Sequence, residues 1–157
     1  MNSDRLNRWL TLGANLGVLV GIVLLIVELD QNRDMMRAQT RHELSMGIVE
    51  LLLVPAGNEQ LAGVMYRAGT GAELTPEELF QFQMRTNALF RYFEDVHYQY
   101  RIGLYDETEF ARQRSAWQAS MAASVGMARY WCQVRTLYSP EFMAEVDGLR
   151  MDNPCKK

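Results

Sequence analysis

The sequence predicts an all-α protein, an N-terminal transmembrane helix continuing into a helical bundle of five or six helices. Three observations predict it. Residues 9–27 carry no charge and hold the most concentrated hydropathy in the chain. Apolar residues beyond them recur at three- and four-residue steps, the spacing of one helix face. No segment shows the period-two alternation of a half-buried strand. The 157 residues amount to one domain with an appendage. With 48% hydrophobic and 22% charged residues the composition is that of a folded chain. A net charge of -3 speaks against a general nucleic-acid binder, which usually carries a basic face.

The first element is the apolar run. Leu10 to Val27 reads LTLGANLGVLVGIVLLIV, and at 1.5 Å per residue it spans about 27 Å, close to a bilayer's hydrocarbon thickness. Trp9 stands where an interfacial aromatic belongs, Arg5 and Arg8 lie outside it, and Glu28 and Asp30 close the far end. A signal peptide has a shorter apolar region and a small-residue cleavage site, which the stretch Glu28 to Asn32 lacks. A buried soluble helix of this length would need other elements all around it. Residues 1–29 therefore read as a tail and transmembrane helix, 30–150 as a helical-bundle domain and 151–157 as a flexible tail. Membrane lipid is the first partner expected. Arg5, Arg8 and the amino terminus on one side nearly balance Arg33, Arg37 and Arg41 on the other. The positive-inside rule then leans only slightly towards a cytoplasmic domain.

Within this helix Gly13, Gly17 and Gly21 repeat at four-residue steps. Each step advances about 40° around the axis, so the three form one shallow groove in which a second helix can approach closely. Thr11 and Asn15 lie on nearly the opposite side. A helix with packing demands on two faces suits a ring or bundle, and its stronger form is a pore with Thr11, Asn15, Val18 and Ile22 facing a central path.

The helical pattern then continues. Between residues 30 and 54 the only helix breaker is Gly47, and Pro55 follows, so the first helix is expected from about Asp4 to Val54. Its apolar stripe would comprise Leu29, Met36, Leu44, Ile48, Leu51 and Leu52. A short helix from Asn58 to about Ala68 is closed by Gly69, Thr70 and Gly71. Thr75, Pro76 and Glu78 combine a cap, a first-position proline and a reciprocal glutamate, a clear start signal. The stripe Leu79, Phe82, Thr86, Leu89, Phe90, Phe93, His97 and Tyr100 faces a core, and Gly103 ends that helix. Asp106 with Glu109 starts the next, which turns Phe110, Trp117 and Met121 inward. Ser124 opens another through Tyr138, and Ser139-Pro140-Glu141 starts the last.

Few residues suggest chemistry. Glu94 and His97 have the Glu-x-x-His spacing that di-iron bundles use, but a full site needs a second such motif, and His42 does not supply one. The expected reading is a polar cluster of Glu94, His97, Tyr98 and Arg101, with Glu94 or Asp95 pairing Arg91 or Arg101, and no metal. The glycines at 69 and 71 precede no Lys-Ser/Thr and make no phosphate loop. Ser124 lacks the flanking glycines of a nucleophile elbow. No catalytic residue and no cofactor is assigned. Cys132 and Cys155 fit no metal spacing, and read as a small core residue and a thiol in a loose tail.

This order of features resembles a group of uncharacterised small bacterial single-pass membrane proteins with a helical domain. The residues that carry the resemblance are the exit Gln31-Asn32, Phe93-Glu94, Tyr98-Gln99-Tyr100 and Gly103. It implies a bacterial inner-membrane location and the architecture above, and brings no activity. The functional expectation is a homo-oligomer held by its glycine helix, with a structural or scaffolding role. The alternatives are an accessory subunit whose glycine groove receives a partner's helix, and a membrane-bound enzyme using Glu94 and His97.

Overall fold

Side-chain caps mark where four of the helices begin. The structure, a computed structural model, describes residues 3–149 and Cys155. Among these it contains six α-helices and no strand: α1 Ser3–Ala56, α2 Glu59–Thr70, α3 Pro76–Arg101, α4 Glu107–Ala123, α5 Val125–Val134 and α6 Pro140–Asp147. A 3₁₀ turn, Arg135–Leu137, separates the last two. The side chain of Asn58 accepts from the Leu61 N–H at 3.0 Å to open α2. Thr75 and Glu78 form the reciprocal capping box of α3, Asp106 accepts from the N–H groups of Thr108 and Glu109, and Ser124 accepts from Met127. Each side-chain oxygen takes up an N–H that the first helical turn would otherwise leave unpaired. Helix α2 ends at Gly71, whose φ of 82° a residue with a Cβ adopts poorly.

The chain divides into two units, Met1–Gln39 and Thr40–Lys157. The first is a stretch of α1 alone. Its most apolar 18-residue window has a mean hydropathy of 2.5, and none of that window is buried.

The second unit is a bundle built on α3. Helix α2 packs against α3 and α5, α4 against α3 and α5, and α6 against α3. The core is aromatic: Phe90, Trp117, Trp131 and Phe142 are almost wholly buried, with Val64, Val96 and Met121 among them. Phe93 stacks on Trp117 at 4.8 Å between ring centres, and Tyr100 lies parallel to Phe110 at 4.0 Å. Glycine is required at one close approach. A Cβ on Gly126 would stand 2.6 Å from the Ala68 carbonyl oxygen and 3.0 Å from the Phe82 ring, so a larger residue would push α5 off α2.

Three sequence expectations change. Of the stripe expected along α1, Leu44 is buried and Ile48 and Leu51 are partly buried, whereas Leu29, Met36 and Leu52 are exposed. Helix α5 stops at Val134, not Tyr138, because Pro140 needs extended backbone just before it. A 3₁₀ turn bridges the gap, and Tyr138 is already extended. The third change concerns the cysteines. Cys132 and Cys155 form a disulfide across 23 residues, so Cys155 is tied to α5 and is no loose thiol. The other residues expected as the 151–157 tail lie outside the described residues.

Helix α1 also runs through Pro55. Proline has no N–H, so the Leu51 carbonyl four residues back loses its helical partner. A nitrogen of Arg85 on α3 donates to that carbonyl instead. The two residues should therefore be coupled. In a thermodynamic cycle read by chemical denaturation, Arg85→Met is expected to destabilise the Pro55 protein by about 1 kcal/mol more than it destabilises Pro55→Ala, where the alanine N–H can supply the missing donor. Additive effects would show that the contact has no energetic meaning.

Candidate functional site

The residues singled out for chemistry lie mainly on the outer turns of α3. Glu94 is paired with Arg91 at 2.7 Å and also accepts the backbone N–H of Ser139 at 2.8 Å. Burial pushes its carboxyl upward, but the Ser139 N–H and Arg91 outweigh this and hold it below the usual carboxylate range. Arg101 turns away to Glu141 at 3.2 Å, Tyr98 is exposed, and Asp95 accepts from Gln99 at 3.2 Å. The expected pairing of Glu94 with Arg91 is thus present, whereas Arg101 pairs with Glu141 outside the expected cluster. The group that does come together includes residues that carry no sequence signal of their own. Tyr138 donates to Asn87 at 2.6 Å, the Arg91 guanidinium lies over the Tyr138 ring at 4.3 Å, and Arg91 donates to the Leu137 carbonyl at 3.3 Å. With Glu94 on Ser139, these contacts clasp the 3₁₀ turn and the start of α6 onto α3. A second clasp joins α5 and α6: the Trp131 indole N–H donates to Asp147 at 2.9 Å and Arg135 pairs with the same carboxylate.

His97 is buried between Phe110 and Phe142, with ring centres 5.9 Å from each. Desolvation lowers its pKa first. Glu145 opposes this, Arg101 adds to it, and Glu141 and Glu94 oppose it more weakly. Burial in this aromatic wall thus disfavours the charged imidazolium. Among the described residues no three His, Cys, Asp or Glu side chains gather where a metal ion could be held.

On the apolar stretch of α1, Gly13, Gly17 and Gly21 meet nothing within 4 Å of where a Cβ would stand. Asn15, Val18 and Ile22 are exposed, and the Thr11 hydroxyl donates to the Asn7 carbonyl at 2.9 Å, satisfied within its own helix. The second unit carries a groove of about 430 Å³ beside Arg85 and one of about 300 Å³ between α2, α3 and α5.

The chain matches no protein-family profile, no curated protein and no solved structure.

The buried histidine gives a signed pH dependence. Below its ordinary value of 6.5 the unfolded chain takes up a proton that the folded chain resists, so stability falls as pH drops through that value. Glu94, held low, loses its contribution only in a more acidic step. Thermal melts between about pH 7 and 5 should show a falling Tm in the native protein and a flatter profile in His97→Gln. Equal slopes would remove His97 as the cause.

Proposed function

We propose that the chain is a single-pass membrane protein that assembles into a homo-oligomer through the glycine face of α1, with a structural or scaffolding role. The observation that carries this reading is the apolar window of α1, of which no part is buried. Water around so many exposed leucines, valines and isoleucines is unfavourable, and lipid removes it. The open groove at Gly13, Gly17 and Gly21 supports the assembly, because in lipid helices associate by close backbone packing and not by the hydrophobic effect. Asn15 adds a reason for a protein neighbour, since an amide in hydrocarbon prefers a polar partner. The reading assigns no conduction to the Thr11, Asn15, Val18 and Ile22 face.

The disulfide bears on topology. Disulfides persist in oxidising compartments, so the Cys132–Cys155 bond favours placing the bundle on the oxidising side, which for a bacterial inner membrane is the periplasm. This reverses the slight cytoplasmic lean, which rested on a near tie of basic residues.

Two experiments test the proposal. Membranes carrying the full chain, blocked with an alkylating reagent before lysis, should keep the protein through an alkaline carbonate wash and show both cysteines unalkylated. Release by carbonate would refute the anchor, and alkylated cysteines would refute the placement. Separately, Gly17→Leu should give a smaller or mixed particle in mild detergent with unchanged helical content. Each helix contact it disturbs is worth on the order of 1 kcal/mol. Leu19→Ala should leave the particle as it was. A wild-type mass for Gly17→Leu would remove the glycines from the interface.

A further inference from the structure

The cavity of about 300 Å³ between α2, α3 and α5 carries both signs of charge beside an apolar wall. Phe82 and Tyr130 are buried and meet edge to face at 6.4 Å between ring centres, and Leu74 and Leu79 join them in the lining. The polar lining is Glu73, Gln83, Arg129, Tyr130 and Gln133, and the remaining residues are alanines and glycines, so no other charge enters. Tyr130 is the telling member. It is 8% exposed, yet its hydroxyl makes no hydrogen bond among the described residues. The hydroxyl is not enclosed either, in contrast to that of Tyr92, so a bound molecule can reach it. A buried tyrosine usually pairs its O–H, and one left unpaired on a cavity wall calls for a partner from outside. Burial raises its pKa above the ordinary 10.0, so the phenol keeps its proton and is a donor. The side chains of Glu73, Gln83, Arg129 and Gln133 also make no hydrogen bond or ion pair among the described residues.

Each feature of the lining narrows the occupant. Arg129 presents a planar guanidinium, which takes a carboxylate in two parallel N–H bonds, and the Tyr130 hydroxyl adds a donor for the same anion. Glu73 presents a carboxylate, which takes an ammonium. The amides of Gln83 and Gln133 offer donors and acceptors together and serve either end. Leu74, Leu79 and Phe82 take hydrocarbon out of water. The volume lies at the lower end of the range for small-molecule sites. It is small for a nucleotide or an acyl chain, and neither brings a cation for Glu73. A small molecule with one anion, one cation and one hydrocarbon arm is an apolar α-amino acid.

We propose that this cavity binds an apolar α-amino acid, its carboxylate on Arg129 and the Tyr130 hydroxyl, its ammonium on Glu73 and its side chain against Leu74, Leu79 and Phe82. The proposal stands apart from the membrane reading, because it uses residues of the second unit only.

The test uses the full chain in a nonionic amphipol, dialysed to equilibrium against tritiated L-phenylalanine or L-leucine. Both should bind saturably. Phenylpropionate, which lacks the ammonium, and phenethylamine, which lacks the carboxylate, should each bind about tenfold more weakly than phenylalanine, because each gives up a charged contact. Glu73 and Arg129 are exposed, so Glu73→Gln and Arg129→Gln should leave melting temperature and helical content nearly unchanged. Arg129→Gln should weaken phenylalanine about tenfold and leave phenethylamine as it was. Glu73→Gln should weaken phenylalanine to the same degree and spare phenylpropionate. No saturable binding of either amino acid up to about 1 mM would overturn the proposal. So would analogues that bind as well as phenylalanine, or variants that change all three aromatic ligands alike or none of them.

Discussion

Everything in the bundle is arranged around the burial of one face of α3. Phe90 has no exposed surface and touches Phe93, Trp131 and Tyr138 within 6.1 Å between ring centres. Three residues on, Phe93 stacks on Trp117 and so attaches α4. Four further on, His97 meets Phe110 and Phe142, joining α4 and α6 to the same seam. Large aromatic side chains suit such a seam, because each buries much surface at little entropic cost and tilted pairs add about 0.5–1.5 kcal/mol beyond their area. The steps of three and four residues along α3 dictate which helix each ring holds.

The polar contacts follow from that seam. Once Trp131 and Phe142 place α5 and α6, the indole N–H reaches Asp147 and the start of α6 comes within reach of Glu94. Ser139 precedes α6 but makes no side-chain cap. Its backbone N–H goes to a carboxylate on another helix instead, and an acidic group beside a helix N-terminus is also favoured by the helix dipole. Glu94 is thereby committed to structure. Its carboxylate is held by Arg91 and a backbone N–H, and burial among aromatic rings disfavours the charged form of His97.

Much of the fold could be read from local signals. Caps at Thr75, Asp106 and Ser124 depend on residues within three positions of one another, so the sequence displays them. The core stripe of α3 was legible for the same reason, although Leu79 at its start is exposed. Less legible was whatever depends on residues far apart in the chain. The contact of Arg85 with the carbonyl orphaned by Pro55 joins positions 34 residues apart, and the Cys132–Cys155 bond joins positions 23 apart. The clasp at Asn87, Arg91 and Tyr138 has no spacing signature, because its members meet only when α6 folds back. Charged residues on one helix face offer several possible partners, and tertiary placement chooses among them. Arg101 took Glu141 and not its neighbour on α3.

The apolar part of α1 makes the opposite case. Most helical stability in proteins comes from packing one apolar stripe against a core, yet here the exposed side chains include Leu10, Leu12, Val18, Val20, Ile22, Leu24 and Leu25. At 100° per residue these positions point all around the axis, so no single neighbouring helix within the chain could cover them. The bundle, for its part, already fills its interior with Phe90, Trp117, Trp131 and Phe142. A helix apolar on every side is suited either to the centre of a large protein or to lipid. Moving each large apolar side chain out of water contributes on the order of 1.5–3 kcal/mol, a sum that must come from surroundings outside the chain. On the proposed membrane reading lipid would supply it on every side at once, and the glycine strip would be where a second helix packs more closely than lipid can.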